Sequence, residues 1–592
     1  MKFKIGLEVI LIVIILISVM QGAFFVNATY GQFTYFSNQQ FENQSTFSTN
    51  NSKISGQNVV DPAQDNDRKS LPKHFNSDLG TEAKNRDNWI TVNHDTYGTR
   101  SSNQTTINAE NVANLKIKWR LISDAEISGP PIIIRYTGYV QDDTGTVIAF
   151  DTRTGETLWK AHVGNGPTMG LTFNNGIVFA ATAYNATVVA LNATNGKIIW
   201  QSQHLGNPKI GYNIPSQPIV WKDYVIAGSA AGGDNPNGVS LVQGNITALN
   251  ITNGKIIWNI RTTAGEWVNL GNAPPYNGDA SDWSGGSLDP ETGIMYIPLG
   301  SPSPSFNATT RQTPNLYSNH MIAVNVTSGR IIWATPFIDY GTILNVRVPD
   351  THDWDTSWGS SISKVTFDNG TQRKIVIGHD KMGNILAMDA ATGKEIWWKI
   401  LGKQYNTNTI PLSTGSGMVW SYGIFNYHAT DNNNNSIYVS ATNRGLNYFT
   451  DSDDGGSGVA GHTVAAPHTI ERGLSNGTIV AMDLRTGKVK WQYPTEFPPR
   501  VSPLVTDDVV FAGFIPFTEK AKGNHIAATK SGVILALDKE TGKKLWEHNV
   551  NAPIGHVGPS IGNGMLFVPT GEIQGQTKGT PKEGSIVAFG LP

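Results

Sequence analysis

Side chains able to do chemistry gather in four short segments. THDWDTSW (351–358) carries Asp355, and AGGDNPNG (231–238) carries Asp234 among glycines and asparagines. SDWSGGSLDPETGIMYIPLGSPSP (281–304) holds Trp283 and Ser301, and GHDKMGNILAMD (378–389) holds Lys381. Carboxylates accept protons and bind hard cations, an ammonium stabilises negative charge, and an indole offers a flat apolar face. Each segment also has a plain reading: an Asp capping its own backbone, a Gly/Asn turn, a core Trp, a solvated turn lysine. The chain has no cysteine. Disulfides, zinc–thiolate sites, iron–sulfur clusters and CxxCH haem attachment are therefore excluded. With 44 basic and 46 acidic residues the net charge is -2. No basic face is implied, so no nucleic-acid partner is expected.

The elements that must position these residues are written in a repeat. An apolar strand is followed by Asp or Asn, two residues, Thr/Asn/Ser-Gly, a few residues and Trp. Copies include VIAFDTRTGETLW ending at Trp159, VVALNATNGKIIW at Trp200, ITALNITNGKIIW at Trp258 and MIAVNVTSGRIIW at Trp333. Others are ILAMDAATGKEIW at Trp397, IVAMDLRTGKVKW at Trp491 and ILALDKETGKKLW at Trp546. A degenerate copy, NVANLKIKW, ends at Trp119. Each copy reads as a β-hairpin: alternating residues give the strands, Asp or Asn bonds backbone two residues on, and Gly supplies the positive φ. The terminal Trp adds a large ring and an N–H that needs an acceptor. Eight such residues imply eight sheets. The shortest intervals, Trp119 to Trp159 and Trp159 to Trp200, match a four-stranded blade of about 40 residues. Longer intervals require insertions, expected on one face. The last strand, SIVAFG, has no hairpin after it and is expected to close the ring by completing the blade that begins near Asn111. The fold expected is all-β, an eight-bladed β-propeller with Trp-docking motifs over residues 86–592.

From about Trp89 to Pro592 the chain resembles the quinoprotein dehydrogenases, the pyrroloquinoline quinone (PQQ) family of methanol and ethanol dehydrogenases. The opening carries the resemblance: Trp89, Asn93, Asp95, Gly98 and Arg100, then Ile107, Asn108, Asn111, Val112, Leu115 and Trp119. The resemblance implies hydride transfer from an alcohol or sugar hydroxyl to a quinone carbonyl, with PQQ on the propeller axis. It assigns Asp355 as catalytic base and metal ligand, Asp234 and Ser301 as further metal ligands, Trp283 as the stacking ring and Lys381 as the contact to the quinone oxygens. Ser357 stands where lanthanide-dependent members place an extra Asp, which favours Ca²⁺. The chain also departs from the pattern. Asp234 replaces Glu and Ser301 replaces Asn. Ser128 and Met169 fall where the family has a cofactor-binding Glu and Arg, and the adjacent Cys pair is absent.

Lys2 and Lys4, the apolar run Val9 to Met20 and Val26-Asn27-Ala28 resemble a signal peptide over residues 1–28, or an uncleaved membrane anchor. Sequons such as Asn103, Asn185, Asn307 and Asn476 agree with export. Residues 29–85 are polar without periodicity and read as a disordered linker. The expected protein is an exported PQQ- and Ca²⁺-dependent dehydrogenase that hands electrons to a separate cytochrome or cupredoxin. The rival readings are a noncatalytic extracellular propeller binding a protein or glycan, and a propeller enzyme of another class.

Overall fold

The computed structural model describes residues 88–166, 168–231, 244–262, 280–300, 317–337, 356, 358–381, 383–402, 417–418, 423–444, 447–448, 458–459, 462–463, 475–516, 531–555, 557–571 and 583–592. The expected signal peptide or anchor, the linker, and Asp234, Ser301, Asp355 and Ser357 lie outside the described residues.

Eight antiparallel four-stranded sheets form the blades of a propeller. Strands a to d of blade 1 are Ile132–Ile134, Thr137–Gln141, Thr146–Asp151 and Thr157–His162. The innermost strands of blades 2 to 8 are Thr172–Asn174, Ile219–Trp221, Ser287–Asp289, Ser361–Thr366, Ala429–Asp431, Val501–Val505 and Ser560–Gly562. Blade 8 takes three strands from the end of the chain and its outer strand, Lys116–Ser123, from the beginning, which pairs with Gly584–Gly590. The ring closes as the sequence implies.

The repeat's turn and its Trp act between blades. Asp151 Oδ1 accepts from Arg153 N at 2.8 Å, the expected bond two residues on. Every repeat Trp except Trp546 then donates Nε1–H to a carbonyl in the next blade's turn. Trp159 reaches Ala193 O at 3.0 Å, Trp200 reaches Ile251 O at 2.8 Å and Trp397 reaches Leu484 O at 2.8 Å. The ring lies on that turn's glycine. At Gly487, φ is +67° and an added Cβ would stand 2.8 Å from Trp397 Cε3. Glycine is required there both for its backbone and for the close approach. Trp546 faces the blade whose outer two strands, Gly584–Gly590 and Lys116–Ser123, come from distant parts of the chain and are not joined by a turn. It packs edge-on against Phe589 at 5.3 Å instead.

The segment 89–102 is the second organising element. Trp89 bridges Ile133 of blade 1 and Thr91 bridges Thr172 of blade 2. Thr96 O, Tyr97 O and Thr99 O accept from Leu288 N, Ile362 N and Thr430 N of blades 4, 5 and 6. Ser101 bridges Val505 of blade 7. The segment thereby satisfies backbone groups that innermost strands would otherwise leave unpaired along the axis. Arg100, fully buried at a φ of 50°, locks it in place. Its guanidinium donates to Pro503 O at 2.8 Å, Val92 O at 2.9 Å and Pro559 O at 2.8 Å. Burial lowers its pKa to about 9.

Neighbouring strands run antiparallel, so every b–c and d–a connection leaves from one end of the ring. The long insertions all fall there. They follow Gly228, Pro298, Arg444, Phe514 and Thr570 as b–c connections, and Arg261, Pro336 and Ile400 as d–a connections. The long connections between the described strands therefore all leave from one face.

Candidate active site

The residues just before the innermost strands meet at the axis on that same face. Val92 of the axial segment packs with Trp358, Phe425, Tyr427 and Val557, and Met169 and Trp283 join them. Trp283 meets Trp358 edge-on at 4.8 Å and 80°. Trp358 meets Phe425 at 4.8 Å and Tyr427 at 5.8 Å. Ser284 ties the rings together. Its Oγ accepts from Trp358 N at 2.7 Å and Gly359 N at 3.0 Å, and its carbonyl accepts from Tyr427 Oη. Inter-blade hydrogen bonds thus fix the orientation of a half-buried Trp283 above a dry aromatic base.

Two cations edge this cluster. Lys381, on the b–c turn of blade 5, places Nζ 5.3 Å from the Trp283 ring centre and 5.0 Å from that of Phe425. Arg500, just before the inner strand of blade 7, places its guanidinium carbon 4.5 Å from the Phe425 ring centre. Met169 N donates to Pro215 O at 2.7 Å. The α-carbon of Gly129 packs so closely on Met169 O that a Cβ there would lie 2.2 Å away. Ser128, one residue earlier, donates to Asp143 Oδ1 at 2.8 Å. Of the described candidates, Trp283 and Met169 share the axial cluster, Lys381 stands over Trp283, and Ser128 is linked to them only through Gly129, which packs on Met169 O.

The proposed metal ligands lie outside the described residues, but the chain beside them converges. Thr356 Oγ1 donates to Leu299 O, Gly300 N to Ser281 O at 2.9 Å, and Asp282 N to Ser229 O at 3.2 Å. The stretches leading to Asp234, Ser301 and Asp355 are thus tied to one another beside Trp283. Among the described residues no group of three or more His, Cys, Asp or Glu could hold a metal ion.

Sequence reading passed over Asp282, Trp358, Phe425, Tyr427 and Arg500. Asp282 is fully buried, and burial raises its pKa to about 7 against the N–H of Gly285, which bonds its Oδ1 at 2.8 Å. Its only signal was adjacency to Trp283. A shared position just before each innermost strand would have found the other four, once the strands were placed.

The set fits a planar aromatic polyanion: a half-buried indole face, a rigid aromatic base and two cations at its edge. An eight-bladed ring with such a site on its axis defines the quinoprotein class of propeller. The family model for the β-propeller domain of glucose/ethanol/alcohol dehydrogenases matches residues 89–414, more than half of the chain. The protein belongs to that family, the PQQ-dependent alcohol dehydrogenase-like oxidoreductases. A second propeller model, the outer membrane protein assembly factor BamB, matches residues 317–515. The quinoprotein alcohol dehydrogenase PedH of Pseudomonas putida is 25% identical over 544 residues, covering 81% of this chain and 84% of the relative. The lanthanide-dependent methanol dehydrogenase of Methylorubrum extorquens is 23% identical over 546 residues, with the same coverages, 81% and 84%. The solved quinohemoprotein alcohol dehydrogenase ADHIIG of Pseudomonas putida shares the fold, with a TM-score of 0.71 at 19% identity over 88% of this chain and 83% of that one.

Proposed function

We propose that this protein oxidises an alcohol or sugar hydroxyl with PQQ and Ca²⁺. When bound, PQQ supplies a hydride-accepting quinone carbonyl and Ca²⁺ a Lewis acid. The chain's own residues do the rest. Asp355 takes the hydroxyl proton, as a carboxylate kept ionised beside a cation can do at neutral pH. Trp283 offers its indole face as the floor. Lys381 offsets negative charge that develops above it. Asp234, Ser301 and Asp355 supply the oxygen donors that a hard cation needs. Ser128 and Met169 would face the cofactor where the family has a Glu and an Arg, and neither carries a charge.

The observation that carries this reading is the Lys381 ammonium over the Trp283 ring, 5.3 Å from its centre, at the mouth of a propeller axis. Ser357 in place of an acidic residue favours Ca²⁺ over a lanthanide. Electrons leave to a separate cytochrome or cupredoxin, because a chain without cysteine carries no CxxCH haem site. The basic and apolar N-terminus supports a reaction outside the cytoplasmic membrane. Among the described residues no helix is long and apolar enough to cross a membrane.

The test is dye reduction by full-length protein with PQQ, with Ca²⁺ or La³⁺, and with a panel of primary alcohols, aldehydes and sugars. Asp355→Ala is expected to lower PQQ-dependent turnover by roughly 10²–10⁴-fold, the usual contribution of a general base, or more if metal is also lost. Turnover that survives in this variant would remove Asp355 from the chemistry. Equal turnover with La³⁺ and Ca²⁺ would remove the Ser357 argument. Failure to take up PQQ at all would leave the noncatalytic propeller that the BamB-like repeat also allows.

A further inference from the structure

The site has an imbalance that the resemblance does not account for. Met169 sits where a cofactor-binding Arg is expected, so one side of a tricarboxylate ligand would face a thioether. The structure brings a different cation to the same face. Arg500 is contributed by blade 7, immediately before Val501–Val505, the position from which Trp358 and Tyr427 also reach the axis. It is 9% exposed. Its backbone N–H is held by Pro498 O at 2.9 Å. Its guanidinium carbon lies 4.5 Å from the Phe425 ring centre, and Lys381 Nζ lies 5.0 Å from the same ring. A guanidinium packed on an aromatic ring presents a planar, pre-organised fork, which suits planar carboxylates better than a flexible ammonium does.

We propose that Arg500 is an anchor for a carboxylate of PQQ, paired with Lys381 across Phe425 and doing the work that an Arg in place of Met169 would do. The proposal rests on the quinoprotein reading above. Lys381, over the Trp283 ring, serves the quinone oxygens; Arg500, over the Phe425 ring, serves a carboxylate. The site thus reaches its positive charge by a route this chain does not share with the pattern it resembles, and loss of the expected Arg does not imply loss of the cofactor.

The test uses full-length protein with Ca²⁺, titrated with PQQ and, separately, with PQQ trimethyl ester, whose carboxylates carry no charge. Quenching of tryptophan fluorescence reports binding, so no turnover is needed. Thermal unfolding confirms that each variant is folded. Arg500→Gln is expected to weaken PQQ binding about 10- to 100-fold, the range for a lost charge-assisted contact, and to change ester binding by no more than about threefold. Arg500→Lys keeps the charge and gives up the planar fork, and is expected to hold PQQ within about tenfold of the wild type. Two results overturn the proposal: PQQ bound equally well by Arg500→Gln and the wild type, or both ligands weakened alike, which would make Arg500 a packing residue for Phe425. If Arg500→Gln does not fold, Arg500→Lys decides, and a loss of PQQ beyond 100-fold with ester binding intact counts against an anchor that works by charge. Wild-type protein that fails to bind PQQ overturns the quinoprotein reading itself, before any variant is compared.

Discussion

Asp282 stands one residue before Trp283 with its carboxyl fully buried, packed so near Gly228 that a Cβ there would meet it at 2.2 Å. Burial holds the carboxyl protonated up to about pH 7, against 3.8 for the free group. Below pH 3.8 the folded and unfolded chains both carry the proton, and nothing is lost. As pH rises toward 7 the unfolded chain releases it while the folded chain keeps it, so stability falls, and the loss is complete above about 7. At about 1.4 kcal/mol per unit this amounts to roughly 4 kcal/mol as an order of magnitude. Two other buried groups act in the opposite sense. His428 Nε2 meets Ser361 Oγ at 2.6 Å, and the His379 and His428 rings are 5.1 Å apart. Burial lowers both pKa values, that of His428 to about 3 with Arg100 adding to the effect. Their contribution is present above about pH 6.5 and is lost as pH falls. The wild-type profile therefore mixes opposing slopes, and only a difference isolates Asp282. Asp282→Asn, compared with wild type in urea unfolding without cofactor from pH 5 to 8, is expected to gain relative stability as pH rises to about 7 and to level off above it. A constant difference across that range would show that Asp282 is not held protonated.

Each blade's Trp is both a core residue and a latch on its neighbour. Trp397→Ala removes the ring from Gly487 and the Nε1 bond to Leu484 O, and is expected to cost about 3–5 kcal/mol by equilibrium unfolding. Gly487→Ala should cost a comparable fraction through strain at its positive φ and collision with the same ring. A Gly487→Ala protein as stable as wild type would contradict this account of the latch. The latch was legible because hairpin chemistry is local: Asp, Gly and Trp recur at fixed offsets within a dozen or so residues. The site was legible only in part. Trp283 and Lys381 lie in segments with a recognisable pattern. Phe425 and Arg500 come from stretches that look like any loop, FNYHATD and PPRVSP, and gain meaning only when two innermost strands are set side by side. Asp282 was hidden differently, since nothing in SDW says whether a carboxyl faces water or Gly228.

At the scale of the molecule, the ring is a stack of similar sheets, and two devices make it a single closed body. One is the seam, where Lys116–Ser123 completes the blade of Gly584–Gly590. The other is the axial segment 89–102, which hydrogen-bonds or bridges to the innermost strands of blades 1, 2, 4, 5, 6 and 7. The motif that marks the opening of the propeller is thus structural: Asp95 caps Thr99, with Oδ1 to N at 3.1 Å and Oδ2 to Oγ1 at 2.7 Å, and Arg100 binds carbonyls of blades 7 and 8. Arg100→Met would leave those carbonyls buried without a donor. Stability is expected to fall by about 3 kcal/mol or more, with earlier proteolysis of the whole ring and not of one blade. Cleavage confined to residues before Trp119 would show that the segment decorates the ring without holding it.

On the proposed reading, a chain lacking several expected anchors still holds a quinone on this axis. The most direct measurement is stoichiometry. Full-length protein is mixed with excess PQQ and Ca²⁺, freed of unbound cofactor by gel filtration and read by its quinone absorbance. One PQQ per chain, reduced on adding a primary alcohol and lost in a Trp283→Ala, Lys381→Ala double variant, is the predicted result. A colourless protein that elutes apart from the cofactor would contradict it and leave the axis as the packed centre of a scaffold.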